Sequence, residues 1–189
     1  MVILPYITSA TGINIFWWVV YTSASKLCFQ VVVVSDRVYE GLEKDVSGEL
    51  ALALLVNKGY CVEPKITIRN LHRDILKALR TSRARVVLLL GGTGPSPRDI
   101  TVDIVESVAW RCLPGFGEHF RRVSYEQIGV AALLTRASLC ILHDGKIAVV
   151  LPGSPNAVSI GIDILSQLVE HLVEEVDRFE TPHRTPGRE

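Results

Sequence analysis

The sequence has no excess of charge of either sign. Lysine and arginine together number 20, aspartate and glutamate also number 20, and the formal net charge is zero. Such a balance gives no general attraction to nucleic acid or to an anionic membrane surface. We therefore expect neither as a partner, and any anion must be bound by a local arrangement of residues.

Cysteine is scarce and scattered. The four cysteines are Cys28, Cys61, Cys112 and Cys140. This spacing fits neither a C-x-x-C metal site nor the dense disulfide framework of a small domain. It is typical of a protein of the reducing cytoplasm, which is where we expect this chain to work. Pairing of two cysteines in space stays an open alternative, because some hyperthermophiles carry intracellular disulfides.

The sequence also lacks a hydrophobic run of membrane-spanning length. Residues 1–25 are almost uncharged, but polar residues bound an apolar centre at 13–21. This is about half of the ~20 residues that a membrane helix needs. No basic residue precedes the run, so a secretory signal is poorly supported. The extension is expected to dock on the domain or a partner subunit, or to stem from an upstream start codon; an interfacial anchor is a third reading.

The remaining length suits one folded domain. With 189 residues, the chain falls within the ~100 to 200 residues that a domain usually has. We assign the N-terminal extension to residues 1–25, an α/β domain to 26–178 and a polar tail to 179–189. The tail contains Pro182 and Pro186, and we expect it to be disordered.

A glycine loop after a buried strand organises the chain. The apolar run Val86–Leu90 leads into Gly91-Gly92-Thr93-Gly94-Pro95-Ser96-Pro97-Arg98-Asp99, and a helix is predicted from about Thr101. Glycines let the backbone approach a ligand closely, and N–H groups at a helix start favour an anion. Thr93 adds a hydroxyl, Arg98 a bidentate guanidinium and Asp99 a hard oxygen ligand for Mg²⁺.

On spacing alone the glycine loop is a weak signal. It is not G-x-G-x-x-G, and it lacks the lysine that ends a Walker A loop. A plain strand-to-helix turn, with Arg98 and Asp99 facing water, is an equal alternative at this point. Evidence from the rest of the sequence is needed to distinguish a phosphate-binding loop from a plain turn.

Strand and helix patterns alternate along the chain. The pattern predicts strands at 30–34, 60–68, 86–90, 137–142 and 146–151, and helices at 47–58, 73–81, 101–110, near 120, at 128–135 and after 154. Pro64 places the second strand at a sheet edge, and Asp144-Gly145 supplies a hairpin turn. A turn is expected at 114–118. The fold class is therefore α/β, a three-layer sandwich with a mostly parallel central sheet and one antiparallel hairpin strand.

Three loops follow the apolar strands, at 35–48, 91–99 and 152–156. In an α/β sheet, ligands bind where the carboxyl ends of strands meet at a switch in strand order. We therefore expect these loops to converge. Their convergence favours a phosphate-bearing ligand over a plain turn.

The three loops, together with the segments 114–121 and 124–129, resemble the MoaB/MogA family of molybdenum cofactor biosynthesis. The resemblance runs from residue 30 to about 174, with the motifs in one order. It implies a three-layer α/β domain, a homotrimer, and binding of molybdopterin. It also implies that the domain adenylylates molybdopterin with Mg²⁺ and ATP, releasing pyrophosphate.

The resemblance also implies roles for particular residues. Asp99 would coordinate Mg²⁺ and act in catalysis with Arg98 and Asn70. The expected ligand-binding residues are Ser35, Asp36, Asp45, Ser47, Gly48, Gly91, Gly92, Thr93, Gly94, Pro152, Gly153, Ser154 and Pro155. An alternative for Asp45, Ser47 and Ser154 is that they cap helices.

One position departs from the family pattern. Active members carry an acidic residue after the second strand, where this chain reads Ile68-Arg69-Asn70-Leu71. An amide keeps a carbonyl oxygen but loses the negative charge, although a one-residue shift would bring Asp74 nearer. Three hypotheses follow: a molybdopterin adenylyltransferase, a non-catalytic molybdopterin-binding or assembly protein, and a nucleotide-hydrolysing relative similar to the amino-terminal domain of competence-damage proteins.

Overall fold

The structure, a computed structural model, describes residues 27–178. The predictions for the extension at 1–25 and the tail at 179–189 lie outside the described residues. Within 27–178, the helices are all too short or too polar to cross a membrane.

Strands and helices alternate as the sequence predicts. In chain order they are β1 Cys28–Val34, α1 Asp36–Tyr39, α2 Val46–Asn57, β2 Cys61–Val62, β3 Ile66–Ile68, α3 His72–Thr81, β4 Val86–Leu90, α4 Thr101–Val108, β5 Ala109–Cys112, α5 Pro114–Ile128, a 3₁₀ helix Gly129–Leu134, β6 Ser138–Leu142, β7 Ile147–Leu151 and α6 Pro155–Val176.

The strands form one sheet in the order β2-β1-β4-β7-β6-β5, with β3 also paired to β1. β1 is parallel to β2, β3 and β4, and β4 is parallel to β7. β6 runs antiparallel to both of its neighbours. The chain leaves β1 towards one edge and returns to β4 on the other side of β1, so strand order reverses between β1 and β4. The predicted mostly parallel sheet with one antiparallel strand is confirmed.

Helices cover both faces of the sheet. Successive side chains of a strand point to opposite faces, and β1 is buried on both. Val31 and Val33 pack in a core with residues of α2, α5 and α6. Val32 and Val34 pack in a second core with residues of α3 and α4. The three-layer sandwich is therefore confirmed, and β1, β4 and β7 form its buried centre.

Several segments differ from the predicted secondary structure. The strand predicted at 60–68 forms two short strands on either side of Pro64, which lacks a donor for the ladder, and the helix predicted at 128–135 is a 3₁₀ helix over 129–134. The helix predicted to 110 ends at Val108, and residues 109–112 pair with β6 instead, because β6 offers backbone partners to this segment and the sheet edge leaves room for the half-exposed Trp110. The turn predicted at 114–118 is the first turn of α5, with Pro114 at a position where a missing N–H costs nothing. A Cβ at Gly117 would collide with the Ala137 carbonyl, so this glycine permits close packing.

The cysteines form two disulfides, Cys28 with Cys61 and Cys112 with Cys140. Cysteine pairing, which the sequence analysis left as an open alternative, is thus present for all four cysteines. Each pair joins residues directly opposite each other on neighbouring strands. Sequence separations of 33 and 28 residues hid this proximity. Each disulfide ties an edge strand, β2 or β5, to the strand inside it.

We predict that reduction destabilises the fold. Cross-linking loops of this length lowers the entropy of the unfolded chain and contributes about 3 kcal/mol per disulfide. Guanidinium unfolding should therefore show a lower midpoint in the presence of a phosphine reductant. A variant with all four cysteines changed to serine serves as the control and should not respond. Four titratable thiols in the untreated protein, with one midpoint in both conditions, would contradict the prediction.

Candidate active site

The three predicted loops converge on one cavity at the carboxyl ends of β1, β4 and β7. Its volume is about 590 Å³, and it is lined by Val33, Val34, Ser35, Val38, Glu43, Lys44, Asp45, Val46, Ser47, Leu90, Gly91, Gly153, Ser154 and Pro155. The cavity lies where strand order reverses, which is the usual ligand position in such sheets.

Short contacts fix the loops to one another. The Ser47 hydroxyl donates a hydrogen bond of 2.6 Å to the Gly153 carbonyl, which joins the first loop to the last. The Gly91 amide donates to the carbonyl of Leu151 at 2.9 Å. Gly91 has a φ of 117°, and a Cβ there would collide with the Val34 carbonyl. Only glycine therefore lets β1, β4 and β7 deliver their loops this close together.

Three polar residues at the cavity cap helices. Ser35 accepts the Val38 amide at the start of α1, and Ser154 accepts the Ala157 amide at the start of α6. Asp45 caps α2, with the Gly48 amide 2.7 Å from its Oδ1. The capping alternative considered for Asp45 and Ser154 is therefore correct as to geometry.

Lys65 holds the second oxygen of Asp45. Its ammonium contacts Asp45 Oδ2 and lies 2.6 Å from Glu49 Oε1. Burial works to lower the pKa of Lys65, but the hydrogen bonds and the charges of Asp45 and Glu49 raise it above its usual value. Lys65 is therefore a fixed cation. Both oxygens of Asp45 are engaged by protein groups, which favours a structural role for this carboxylate.

A second polar cluster lies beside the cavity. The Asn70 backbone amide donates to Asp36 Oδ1 at 2.9 Å, and its side-chain amide donates to the Arg98 carbonyl. Within the described residues, Asn70 Oδ1 is buried and has no hydrogen-bond partner. Asp74 pairs with Arg69 at 3.1 Å instead. Asn70, rather than Asp74, thus joins the loop after β3 to the glycine loop.

The glycine loop joins this second cluster through the Arg98 carbonyl and carries two charged residues, Arg98 and Asp99. Asp99 Oδ2 accepts the Ser96 amide at 3.1 Å, and a Cβ at Gly94 would lie 2.6 Å from it. In the part of the chain that the structure describes, the exposed Arg98 guanidinium forms no ion pair. The predicted site is thereby divided: the cavity does not include Asp36, Gly48, Asn70, Gly92, Thr93, Gly94, Arg98, Asp99 or Pro152.

Similarity to known proteins agrees with this architecture. Residues 30–171 match the family described as "Probable molybdopterin binding domain". The chain belongs to this family. The resemblance to MoaB and MogA proteins drawn from the loop motifs is confirmed.

Relatives with names from cofactor biosynthesis are similar to most of this molybdopterin-binding domain. The chain is 39% identical over 152 residues to a molybdopterin adenylyltransferase of Pyrococcus furiosus, covering 77% of this chain and 89% of the relative. It is 33% identical to molybdenum cofactor biosynthesis protein B of Bacillus subtilis, covering 78% and 88%. The crystal structure of the tungsten cofactor synthesizing protein MoaB from Pyrococcus furiosus superposes with a TM-score of 0.74, at 33% identity, covering 80% and 98%.

Arg136 supports the glycine loop of this molybdopterin-binding domain, and sequence reasoning missed it. Its guanidinium donates to the carbonyls of Gly94, at 3.2 Å, and Asp99, and pairs with Asp103 at 2.6 Å. The hydrogen bond from Arg136 lowers the pKa of Asp103. Its backbone amide donates to Thr93 at 2.9 Å. Arg136 lies about 40 residues from the loop in sequence, so no local pattern pointed to it, and the same holds for Lys65.

The residues around Asp99 could bind a metal ion whose other ligands are phosphate oxygens of a substrate. Among the described residues, three potential metal-ligating His, Cys, Asp or Glu side chains meet only at Glu106, Cys112 and Cys140, where the two sulfurs form a disulfide. Residues 27–178 thus form no all-protein metal cage near Asp99. Mg²⁺ usually binds through one or two carboxylates and the substrate phosphates, and the oxygens of Asp99 and Asn70 are ligands of this hard type.

We predict that Asn70→Asp destabilises the protein. The aspartate would lose the donor to the Arg98 carbonyl and place two acceptors against each other, at a cost of about 1 to 3 kcal/mol. Denaturant unfolding measures this change. Asn57→Asp, on an exposed residue at the end of α2, is the matched control and should cost less than about 1 kcal/mol. An Asn70→Asp protein as stable as the parent would show that the amide does not hold the glycine loop.

Proposed function

We propose that this domain adenylylates molybdopterin. An oxygen of the terminal phosphate of molybdopterin attacks the α-phosphorus of ATP, a new P–O bond forms, and the bond to pyrophosphate breaks. The convergence of the three loops at one edge of the sheet carries this proposal, because it brings a cavity of about 590 Å³ next to the cluster that includes the glycine loop. We expect the reaction in the cytoplasm, where ATP is available.

The residues present suit this chemistry. Nucleotidyl transfer requires mostly positioning of the anions and neutralisation of their charge. Gly91 lets the glycine loop lie close to the end of β1, and Ser47 and Gly153 keep the first and last loops in fixed relation. Arg98 offers a guanidinium without an ion pair among the described residues, and Asp99 offers a carboxylate. Mg²⁺, held by Asp99 and the phosphates, would neutralise charge on the phosphate oxygens.

A non-catalytic molybdopterin-binding protein is the second candidate, and Asn70 favours it. The amide stands where active relatives are expected to carry a carboxylate, and its hydrogen bond to Arg98 is one that an ionised carboxylate cannot donate. The site then binds the pterin and lacks part of the charge that draws Mg²⁺. Product formation separates the two candidates.

We also propose that the domain forms a homotrimer. The end of α5 and the 3₁₀ helix expose a series of large apolar side chains, Tyr125, Ile128, Val130, Leu133 and Leu134, each with about half or more of its surface accessible. Exposed apolar surface of this kind marks protein interfaces. Sedimentation velocity should give three times the mass of one chain. A monomer at micromolar concentration would contradict the proposal.

The adenylylation reaction should depend on Asp99. Purified protein is incubated with molybdopterin, Mg²⁺ and ATP, and adenylylated molybdopterin is measured by mass spectrometry. We expect Asp99→Asn to slow product formation by about a hundredfold, since the negative charge that would hold Mg²⁺ beside the phosphates is lost. Asp163→Asn, on an exposed aspartate of α6 that pairs with Lys58, is the matched control and should retain the parent rate. Pterin bound without product supports the second candidate, and neither binding nor product contradicts both.

A further inference from the structure

The cavity combines an apolar floor with a polar rim. Val33, Val34 and Leu90, at the ends of β1 and β4, form part of its floor, and each is buried. The first and last loops form the rim. A ligand that fits both has a flat or apolar body and a polar group that reaches the rim.

Most charges at the rim are already compensated. Glu43 pairs with Arg37 at 2.9 Å. Asp45 pairs with Lys65, and both of these side chains are largely buried, at 12% and 16% exposure. The net charge of the rim therefore depends on the one charged lining residue that is left, Lys44.

Lys44 lies between these two residues in the chain and lines the same cavity. Across residues 27–178, its side chain takes part in none of the ion pairs or hydrogen bonds, so its charge is uncompensated. Of the serines that line the rim, Ser47 already donates its proton to Gly153. The exposed Lys44 ammonium is thus the strongest donor that the rim offers to an anion.

We propose that Lys44 binds the phosphate group of the ligand in this cavity. A lysine ammonium acts as a point charge towards phosphate and forms charge-assisted hydrogen bonds with its oxygens. The proposal rests on the proposed function for the identity of the ligand, which is either the pterin phosphate or the phosphates of ATP. It does not rest on turnover, because binding alone reveals it.

Calorimetric titration of three probes tests the assignment: molybdopterin, Mg-ATP and inorganic pyrophosphate. We expect Lys44→Ala to weaken at least one of them by about tenfold, and Lys44→Arg to restore most of the affinity. Lys77→Ala, on an exposed lysine of α3 away from the cavity, is the matched control and should bind like the parent. If the parent turns over, KM should rise for the affected substrate while kcat stays close to its original value.

The outcomes separate this proposal from the proposed function. A loss for molybdopterin alone assigns Lys44 to the pterin phosphate, and a loss for Mg-ATP alone assigns it to the nucleotide; both support the proposal. Lys44-dependent binding of pyrophosphate by a protein without adenylylation supports it as well and contradicts only the enzyme. Affinities of Lys44→Ala within twofold of the parent for every probe that the parent binds overturn it.

Discussion

The parallel pairing of β1, β4 and β7 is the constraint on which the rest of the structure depends. Val33 lies opposite Leu90, and Leu90 lies opposite Leu151, so the three strands end at the same level. Each strand then delivers a loop to one edge of the sheet. Because these apolar strands are buried on both faces, a slip in register would disrupt the packing of both cores. Packing of the core therefore fixes where the three strands end, and with it the position of the cavity.

Around that edge, protein groups satisfy most of the polar atoms before any ligand arrives. Asp45 accepts a hydrogen bond from the α2 backbone and pairs with Lys65. Arg136 donates a hydrogen bond to the backbone of the glycine loop. Such prior bonding keeps the loops in one arrangement, which lowers the cost of ordering them on binding. Among the described residues at this edge, Lys44 and Arg98 remain as cations without an ion pair, one beside the cavity and one beside Asp99. The candidate site therefore has two parts, the cavity with Lys44 and the neighbouring cluster with Arg98 and Asp99.

The sequence predicted what depends on local patterns. The apolar run Val86–Leu90, the proline at 64 and the Asp-Gly turn at 144–145 each encode their own structure, and the sheet, its edge and its hairpin were predicted from them. The strand Ala109–Cys112 was missed because its edge position depends on β6. The disulfides, and the support from Arg136, depend on contacts between residues far apart in the chain. Long-range packing, rather than local propensity, determines these features.

Crystallography of the protein with molybdopterin and a non-hydrolysable Mg-ATP analogue tests the central claim most directly. We predict density for a phosphate group in the cavity between the three loops, within hydrogen-bond distance of the rim at 44–47. Density for both ligands elsewhere on the domain, with this cavity filled only by water, would contradict it.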